Sequence, residues 1–573
     1  LTLQGATIDN AGGTISHAGA GTLALTATAG AITNTGGVIQ TNGSYSLSAA
    51  SFTNAGGTLS AAGAGAIGVG GDLSNGGSIT ANGLLTLSAN TLENGAGLIA
   101  GYGGMNLSAG ALDNSNGAGV IGGRGAIVIS AGIIVNDGFI VANTGAAAGT
   151  LTLDIGAGGG LSNGGTIWAD SAAQVNASGA SVTNTGSLAA ASSLGLVTTN
   201  LNNESGKLGA GNLVSLEFAN LANDAFGDVE AGSALAITID NNWTNTVAIQ
   251  APGQLTFTVH GALDNAGILA GTSATTISVD GGLTNTGTID GGVTTLNVGG
   301  GIANSGDIIG NSLSVTAGGD VDNAAGVFGS RTGDLDIFTA GAFNNTAGGT
   351  VYAMAGSLFI GGLGGGSAAS ILNSSSNIEA GGDLTLNAGA ITNTISDTTI
   401  GTVSTTTTAH FNSAQLYPGL FGKQLEGKWD DLTETTTTTG SGFSDPTPQG
   451  QIVAFGSISL NASNFQNLYS NVSAGGNLTF NGGAASGSNF SNISLVSNDQ
   501  VIVTDSGDKW VDICGCDTET VEPVTTTSNQ EVVVAAATVS AGGSVSITAG
   551  AIANQNLNAS GDSIGQSAFA AQG

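Results

Sequence analysis

Apolar residues alternate with small polar residues along most of the chain, in short runs separated by glycine and asparagine. The runs Leu23-Ala24-Leu25, Leu85-Thr86-Leu87 and Ile277-Ser278-Val279 place apolar side chains two residues apart, which is the period of a β-strand. No stretch of about ten residues shows the 3.6-residue period of a helix. The pattern therefore predicts an all-β protein built from many short strands.

These strands belong to a sequence repeat. Its core phrase, apolar-x-Asn-x-Gly-Gly-x-apolar, occurs at 8–15, 32–39 and 52–59. The asparagine of the phrase recurs about every 21 residues from Asn10 to Asn393. Because the repeat has no helical half, each unit is predicted to form one coil of two or three strands. Stacked coils then give a right-handed parallel β-helix, a solenoid whose core is filled by inward-facing Leu, Ile and Val.

The repeated asparagine has two structural roles in such a coil. Asn and Gly tolerate the backbone conformations that a sharp corner requires. Stacked Asn side chains can also form hydrogen bonds along the axis of the coils, as a ladder. The residues predicted to form this ladder are Asn34, Asn54, Asn75, Asn94, Asn114, Asn184, Asn265, Asn285 and Asn304.

The repeat loses its register after Asn393 and regains it near 541–547. We therefore predict three regions: regular coils over 1–396, an irregular segment over 397–540, and returning coils over 541–573. Two threonine runs in the irregular segment, 405–408 and 435–439, have high β propensity and are predicted to form an extra-helical β-hairpin arm. The Lys-Trp pair at 428–429 recurs at 509–510, which predicts a second, related arm, with a partial return of coils between the two.

Aromatic and proline residues make the irregular segment a candidate partner-binding region. Exposed aromatic side chains on loops over a rigid scaffold are common binding hot spots. The alternative is that the arms shield the side of the coils or end one stretch of them. The candidate binding residues are Tyr417, Pro418, Phe421, Trp429, Phe443 and Trp510.

The net charge of the chain limits the classes of partner that it can bind. The chain has 38 acidic residues against 6 Lys and Arg, for a formal net charge of −32. Proteins bind nucleic acid largely by neutralising phosphates with cations, so the charge argues against a nucleic-acid partner. The sequence contains neither a long apolar run nor a secretion signal pattern. Because Leu1 falls within a repeat, we expect the natural N-terminus to lie upstream.

Candidate catalytic and metal-binding groups are sparse. His17, His260 and His410 are far apart, and the acidic residues of the regular region occur singly. This distribution favours a structural protein over an enzyme and predicts no cofactor and no metal. Cys514 and Cys516 are the only cysteines. A strained local disulfide is our interpretation for this pair, with free thiols and a metal site as the alternatives.

The repeat resembles the haemagglutinin repeats of filamentous haemagglutinin-like exoproteins, a family that includes the exoproteins of contact-dependent growth inhibition systems. The phrase Ile-x-Asn-x-Gly-Gly-x-Ile and the segment Ala-Gly-Gly-Asp-Leu-Thr-Leu at 380–386 carry the resemblance. It covers 1–396 and, more weakly, 472–480 and 539–560. The N-terminal secretion domain and the C-terminal toxin domain of such exoproteins are not in this sequence.

The resemblance implies secretion by the two-partner route, with an outer-membrane β-barrel transporter as partner. It also implies a location outside the cell or on the bacterial surface. The expected function is a structural stalk that mediates adhesion or presents a toxin, with recognition of a target-cell surface receptor in 397–540. The alternative function is that of a β-helical protein that degrades polysaccharides or binds glycans.

Overall fold

The structure is a computed structural model that describes residues 1–221, 226–417, 427–445, 447–483, 487–511, 517–558, 560, 563–565 and 570–571. It divides into two compact units, Leu1–Gly300 and Gly301–Gly573, and each is described by itself. The regional boundaries placed at 396 and 540 from the sequence stay predictions.

Each coil of the first unit places strands on three faces. In one coil these strands are Tyr45–Ala49 on the first face, Ser51–Thr53 on the second and Thr58–Ala61 on the third. Every strand pairs in parallel with its counterpart in the next coil, so that Leu47, for example, lies opposite Ile67. The predicted parallel β-helix is therefore confirmed.

The strands of the first unit follow this order throughout. Those on the first face alone are Thr2–Gly5, Leu23–Ala27, Tyr45–Ala49, Gly65–Val69, Ala234–Ile239 and Gln254–Val259. Those on the second face alone are Ile8–Asp9, Ala31–Thr33, Ser51–Thr53, Asp72–Ser74, Trp243–Asn245, Leu263–Asn265 and Leu283–Asn285. Those on the third face alone are Thr14–His17, Val38–Thr41, Thr58–Ala61, Ser78–Ala81, Leu98–Gly101, Val120–Arg124, Phe139–Asn143, Thr166–Ala169, Ser187–Ala190, Lys207–Ala210, Asp228–Ala231 and Ala248–Ala251.

Some strands of the first unit continue from one face to the next. Those that run from the first face into the second are Leu85–Glu93, Met105–Asn114, Ile127–Asn136, Leu151–Asn163, Ala172–Asn184, Ser193–Asn202 and Leu213–Leu221. Those that run from the third face into the first are Ile268–Val279 and Thr288–Val298.

The second unit contains coils of the same kind. Its first-face strands are Ser312–Ala317, Leu335–Thr339, Leu358–Gly362, Ile458–Asn461, Leu478–Asn481 and Val545–Thr548, and Leu384–Thr394 continues into the second face. Its other second-face strands are Ile302–Asn304, Val321–Ala324, Phe343–Thr346, Ala368–Ser374, Asn464–Leu468 and Ala551–Leu557. Its third-face strands are Asp307–Gly310, Val327–Ser330, Thr350–Ala353, Asn377–Ala380, Gln451–Ala454, Asn471–Ala474, Thr538–Ala541 and Ala570–Ala571.

Alternation along each strand separates the core from the surface. Ile39, Leu59, Ile79 and Ile99 occupy equivalent inward positions on the third face, and each has 0% of its surface exposed. Burying a side chain of this size contributes roughly 1.5–3 kcal/mol. Because the side-chain period is two, a one-residue slip between coils would expose the whole column. The apolar positions therefore fix the stacking register.

The two glycines of the Gly-Gly phrase have different roles. Gly56 has a φ of +62°, in the left-handed region that side chains with a Cβ rarely adopt. Gly57 has an ordinary φ, but a Cβ there would lie 1.9 Å from the main-chain oxygen of Asn34 in the preceding coil. The first glycine permits the turn, and the second allows neighbouring coils to approach closely.

Buried asparagines join the coils of the first unit through their side chains. Each Nδ2 donates to Oδ1 of the asparagine in the next coil, at 2.7–2.9 Å. The first run consists of Asn10, Asn34, Asn54, Asn75, Asn94, Asn114, Asn136, Asn163, Asn184 and Asn203. A second run consists of Asn245, Asn265 and Asn285.

The second unit has its own asparagine ladder. The same Nδ2-to-Oδ1 bonds, at 2.8–2.9 Å, connect its members. These are Asn304, Asn323, Asn345, Asn373, Asn393, Asn467, Asn492 and Asn554. The ladder therefore continues past Asn393, where the sequence repeat loses its register.

An antiparallel sheet, which we call the arm sheet, projects from the coils of the second unit. Its strands, in order across the sheet, are Ile400–Asn412, Trp429–Phe443, Asn489–Trp510 and Thr518–Ala535. The third strand begins inside a coil, in parallel with Asn464–Leu468, and joins the arm sheet from Leu495 onward. The predicted extra-helical hairpin arms are confirmed.

Few other elements interrupt the coils. A 3-10 turn spans Leu363–Gly365, and a single helical turn spans Ser413–Leu416. The short strand Ser563–Gly565 pairs antiparallel with Ala551–Leu557. In the part of the chain that the structure describes, no helix is long and apolar enough to cross a membrane.

Candidate functional site

Threonine pairs hold the arm sheet together. Thr406 Oγ1 lies 3.2 Å from Thr437 Oγ1, and Thr504 Oγ1 lies 3.3 Å from Thr525 Oγ1. Side chains along the outer strand Ile400–Asn412 are mostly exposed. β-Branched residues suit extended backbone, and cross-strand Thr pairs add stability without an apolar core. The arm sheet is thus a polar platform that extends away from the coils.

The end of the arm sheet that is farthest along its strands from the coils carries a cluster of aromatic and basic residues. We call Tyr417, Lys428, Trp429, Lys509 and Trp510 the arm tip. Main-chain pairing fixes their arrangement, because Trp429 lies opposite Lys509 in the sheet. The main-chain N–H of Trp510 donates to the carbonyl of Lys428 at 3.0 Å. The arm tip therefore joins residues from both hairpins.

Each lysine of the arm tip lies over an aromatic ring. Lys509 Nζ is 4.3 Å from the ring centroid of Trp429, and Lys428 Nζ is 5.1 Å from that of Tyr417. The Tyr417 hydroxyl accepts a hydrogen bond from the main-chain N–H of Trp429 at 3.3 Å. A cation over a ring at a partly exposed site contributes about 0.5–1 kcal/mol. These contacts hold the rings in place, and two of the chain's six basic residues are found here.

The structure brings together only some of the predicted binding residues. Tyr417, Trp429 and Trp510 meet at the arm tip, whereas Phe443 lies where the hairpin rejoins the coils. There its ring centroid is 5.2 Å from that of Tyr469, in an edge-to-face arrangement. Phe443 therefore anchors the base of the arm sheet. The remaining candidates lie outside the described residues, and these are Pro418, Phe421, Cys514 and Cys516.

Lys428 and Lys509 were not among the binding residues predicted from the sequence. The signal that could have identified them is the repeated Lys-Trp dipeptide, which places a cation beside an aromatic residue in each hairpin. The sequence does not reveal that the lysine of one hairpin lies over the tryptophan of the other.

A titrating group on the coils of the first unit gives a prediction for pH dependence. His260 Nδ1 lies 2.9 Å from Asp280 Oδ2, and the hydrogen bond to Asp280 raises the pKa of His260 above its ordinary value. Because the folded-state pKa is raised, this pair stabilises the fold fully below the unfolded-state pKa of about 6.5. That contribution is lost as pH rises through the higher folded-state pKa.

The measurement is an NMR titration of the His260 ring. We expect a midpoint above that of an unfolded peptide, and a lower midpoint in Asp280→Asn. Asp72→Asn removes an exposed carboxylate on a distant coil of the same unit and should leave the midpoint unchanged. Equal midpoints in Asp280→Asn and the unaltered chain would show that the pair does not control this titration.

The stacked coils of each unit, together with the arm sheet of the second unit, define a class of protein, a β-solenoid with antiparallel hairpins inserted between coils. Haemagglutinin-repeat models match residues 1–36, 18–76, 61–165, 234–325, 333–442, 436–508 and 524–571. The chain belongs to the haemagglutinin-repeat family, a family of structural adhesins. No curated protein and no solved structure matches the chain significantly. Membership implies a secreted or cell-surface exoprotein and supports a filamentous, adhesin-like structural stalk.

Proposed function

We propose that this chain is the stalk of a secreted bacterial exoprotein that mediates adhesion or presents a toxin, and that the arm tip recognises a receptor on the target cell. Export would use an outer-membrane transporter of a two-partner secretion system, since haemagglutinin-repeat proteins are generally substrates of that route. The observation that carries the proposal is the arm tip itself. It presents partly exposed aromatic rings and lysines on a sheet that extends from a regular scaffold.

The composition of the arm tip fits recognition better than shielding. Tyrosine, tryptophan and basic side chains that are already oriented lose little conformational freedom on binding. A shield would instead cover apolar surface of the coils, but the side chains of the outer strands Ile400–Asn412 and Thr518–Ala535 are mostly exposed and polar. The base of the arm sheet packs aromatic surface against the coils through Phe443 and Tyr469.

A truncation can remove the arm tip without disturbing the coils. Thr406, Thr437, Ile502 and Thr527 lie in one row across the arm sheet. Joining Thr406 to Thr437, and Ile502 to Thr527, through Asn-Gly turns closes both hairpins at the same level. We expect the labelled truncated chain to lose binding to a panel of intact Gram-negative cells, while circular dichroism retains the β-sheet spectrum of the coils.

Point variants refine this test. Trp429→Ala removes the ring under Lys509 and should weaken cell binding by at least about tenfold, the loss typical of a central aromatic contact. Phe455→Ala is the matched control, because Phe455 is 82% exposed on a coil outside the arm sheet, and it should bind normally. Full binding by the truncated chain would show that recognition lies elsewhere.

A further inference from the structure

The third face of the first unit contains an open trough with a tryptophan at one end and charged residues at the other. The outward positions of four successive strands form one column, Trp168, Ala189, Gly209 and Glu230. Neighbouring strands lie about 4.8 Å apart, so Trp168 and Glu230 are separated by roughly 14 Å. Because alanine and glycine fill the positions between them, a depression of about 690 Å³ remains.

One end of the trough is a tryptophan ring in a fixed orientation. Trp168 Nε1 donates to Asp170 Oδ1 at 2.8 Å, and the other oxygen of Asp170 accepts a hydrogen bond from the main-chain N–H of Thr144 at 2.8 Å. These bonds lower the pKa of Asp170. Its carboxylate therefore stays charged and accepts the hydrogen bond that orients the indole. Trp168 is partly exposed, and its ring borders the trough.

The other end of the trough is polar and charged. Lys207 Nζ lies 2.5 Å from Glu230 Oε2 and 3.5 Å from Asp228 Oδ2, and Glu230 raises the pKa of Lys207. The aliphatic stem of Lys207 lies along the floor, since its Cε is 3.7 Å from the position that a Cβ of Gly209 would take. Gln250 completes the lining. Hydrogen-bond donors and acceptors are therefore grouped at this end of the trough.

We propose that this trough is a binding site for a neutral oligosaccharide. The apolar face of a pyranose ring stacks on an oriented indole, which offers a large rigid surface with one polar edge. The hydroxyl groups further along the oligosaccharide reach Lys207, the carboxylate of Glu230 and the amide of Gln250, which fix orientation and give specificity. The Glu230 carboxylate on the rim and the protein's net charge of −32 disfavour an anionic glycan.

The shape of the trough supports a linear occupant. Its floor runs along the stacking direction of the coils, because its column crosses four parallel strands. A length of roughly 14 Å suits a short linear oligosaccharide better than a single sugar ring. The site lies on the coils of the first unit and contains none of the arm-tip residues.

The test is calorimetric titration of the chain with cellohexaose, chitohexaose and maltohexaose, and with an oligogalacturonate of the same length as the anionic comparator. We expect saturable binding of at least one neutral hexasaccharide, and weaker binding of the oligogalacturonate. Trp168→Ala should weaken that binding at least about tenfold, and Trp168→Phe should weaken it less, because a smaller ring remains to stack.

A variant that fills the trough distinguishes a loss of binding from a loss of folding. A Cβ at Gly209 would make contacts of 3.7 Å with Ala189 Cβ and Lys207 Cε, which are ordinary distances, and valine suits a strand. Gly209→Val should therefore keep the β-sheet spectrum and lose binding. Tyr102→Ala alters another exposed aromatic residue of the same unit, 45% exposed, and should bind normally.

Three results would overturn the proposal. These are the absence of saturable binding for all three neutral hexasaccharides at about 10 mM, tighter binding of the oligogalacturonate, and unchanged binding in both Trp168→Ala and Gly209→Val.

Discussion

Replacing Asn114 with leucine is expected to lower the free energy of unfolding by about 2–4 kcal/mol. Asn114 is fully buried. It accepts a hydrogen bond from Asn94 and donates to Asn136 and to the carbonyl of Gly119. Leucine has a similar size but no polar atoms, so it removes the hydrogen bond that the buried Oδ1 of Asn136 accepts. It also removes one of the hydrogen bonds made by Asn94 Nδ2 and one of those accepted by the carbonyl of Gly119. Urea unfolding followed by circular dichroism measures the loss.

A matched variant distinguishes the loss of the ladder hydrogen bonds from the general effect of introducing a leucine. Asn106 lies on the same strand, Met105–Asn114, but its side chain is exposed. Asn106→Leu should therefore change stability by no more than about 0.5 kcal/mol. Because coils are stabilised by their immediate neighbours, Asn114→Leu should also speed hydrogen exchange in Leu98–Gly101 and Val120–Arg124. Equal unfolding curves for the two variants would show that the ladder contributes nothing to stability.

The regular coils could be predicted because local sequence and stacking impose the same constraints at every repeat. In 52–59, Phe52 points inward, Asn54 joins the ladder, and the glycine pair permits both the turn and the close approach of the preceding coil. Each of these requirements is met by residues within one repeat. A periodic sequence therefore carries enough information to specify the coil.

The later members of the ladder could not be predicted from the period. Asn393 bonds to Asn467, 74 residues on, and Asn492 bonds to Asn554, 62 residues on, because a hairpin of the arm sheet is inserted each time. The apolar-x-Asn phrase is still present before each of these residues, as in Phe465-Gln466-Asn467, but the glycine pair is absent. Tyr469 instead takes the positive φ, at +57°. A search for the shorter phrase alone would have found them.

It could also not be predicted from the sequence that the two hairpins pair with each other to form one sheet. Thr437 pairs with Ile502 across hairpins that are far apart along the chain. The first hairpin contributes a run of identical threonines, 435–439, to this pairing, so a shift in register changes nothing on that side and the residues themselves specify the alignment weakly. The structure fixes the alignment at the base, where the third strand leaves its coil at Leu495. This position decides which residues meet at the arm tip.

The base of the arm sheet rests on an aromatic core, and disrupting this core is expected to have the largest effect on the second unit. Phe490 is fully buried, and its ring centroid is 5.0 Å from that of Phe465 and 5.4 Å from that of Phe480. Phe490→Ala should lower the free energy of unfolding by about 3–5 kcal/mol, since it removes buried aromatic surface and leaves a cavity. Phe490→Leu fills more of the space and should cost less.

Phe455→Ala is the control for this prediction, because Phe455 is 82% exposed and its loss should change stability by no more than about 0.5 kcal/mol. Urea unfolding followed by circular dichroism compares the three variants. Phe490 belongs to the strand Asn489–Trp510, which continues from the coil into the arm sheet. Phe490→Ala should therefore also speed hydrogen exchange in the arm sheet near Leu495. Faster exchange in the coils alone would show that the arm sheet is stabilised independently of this core.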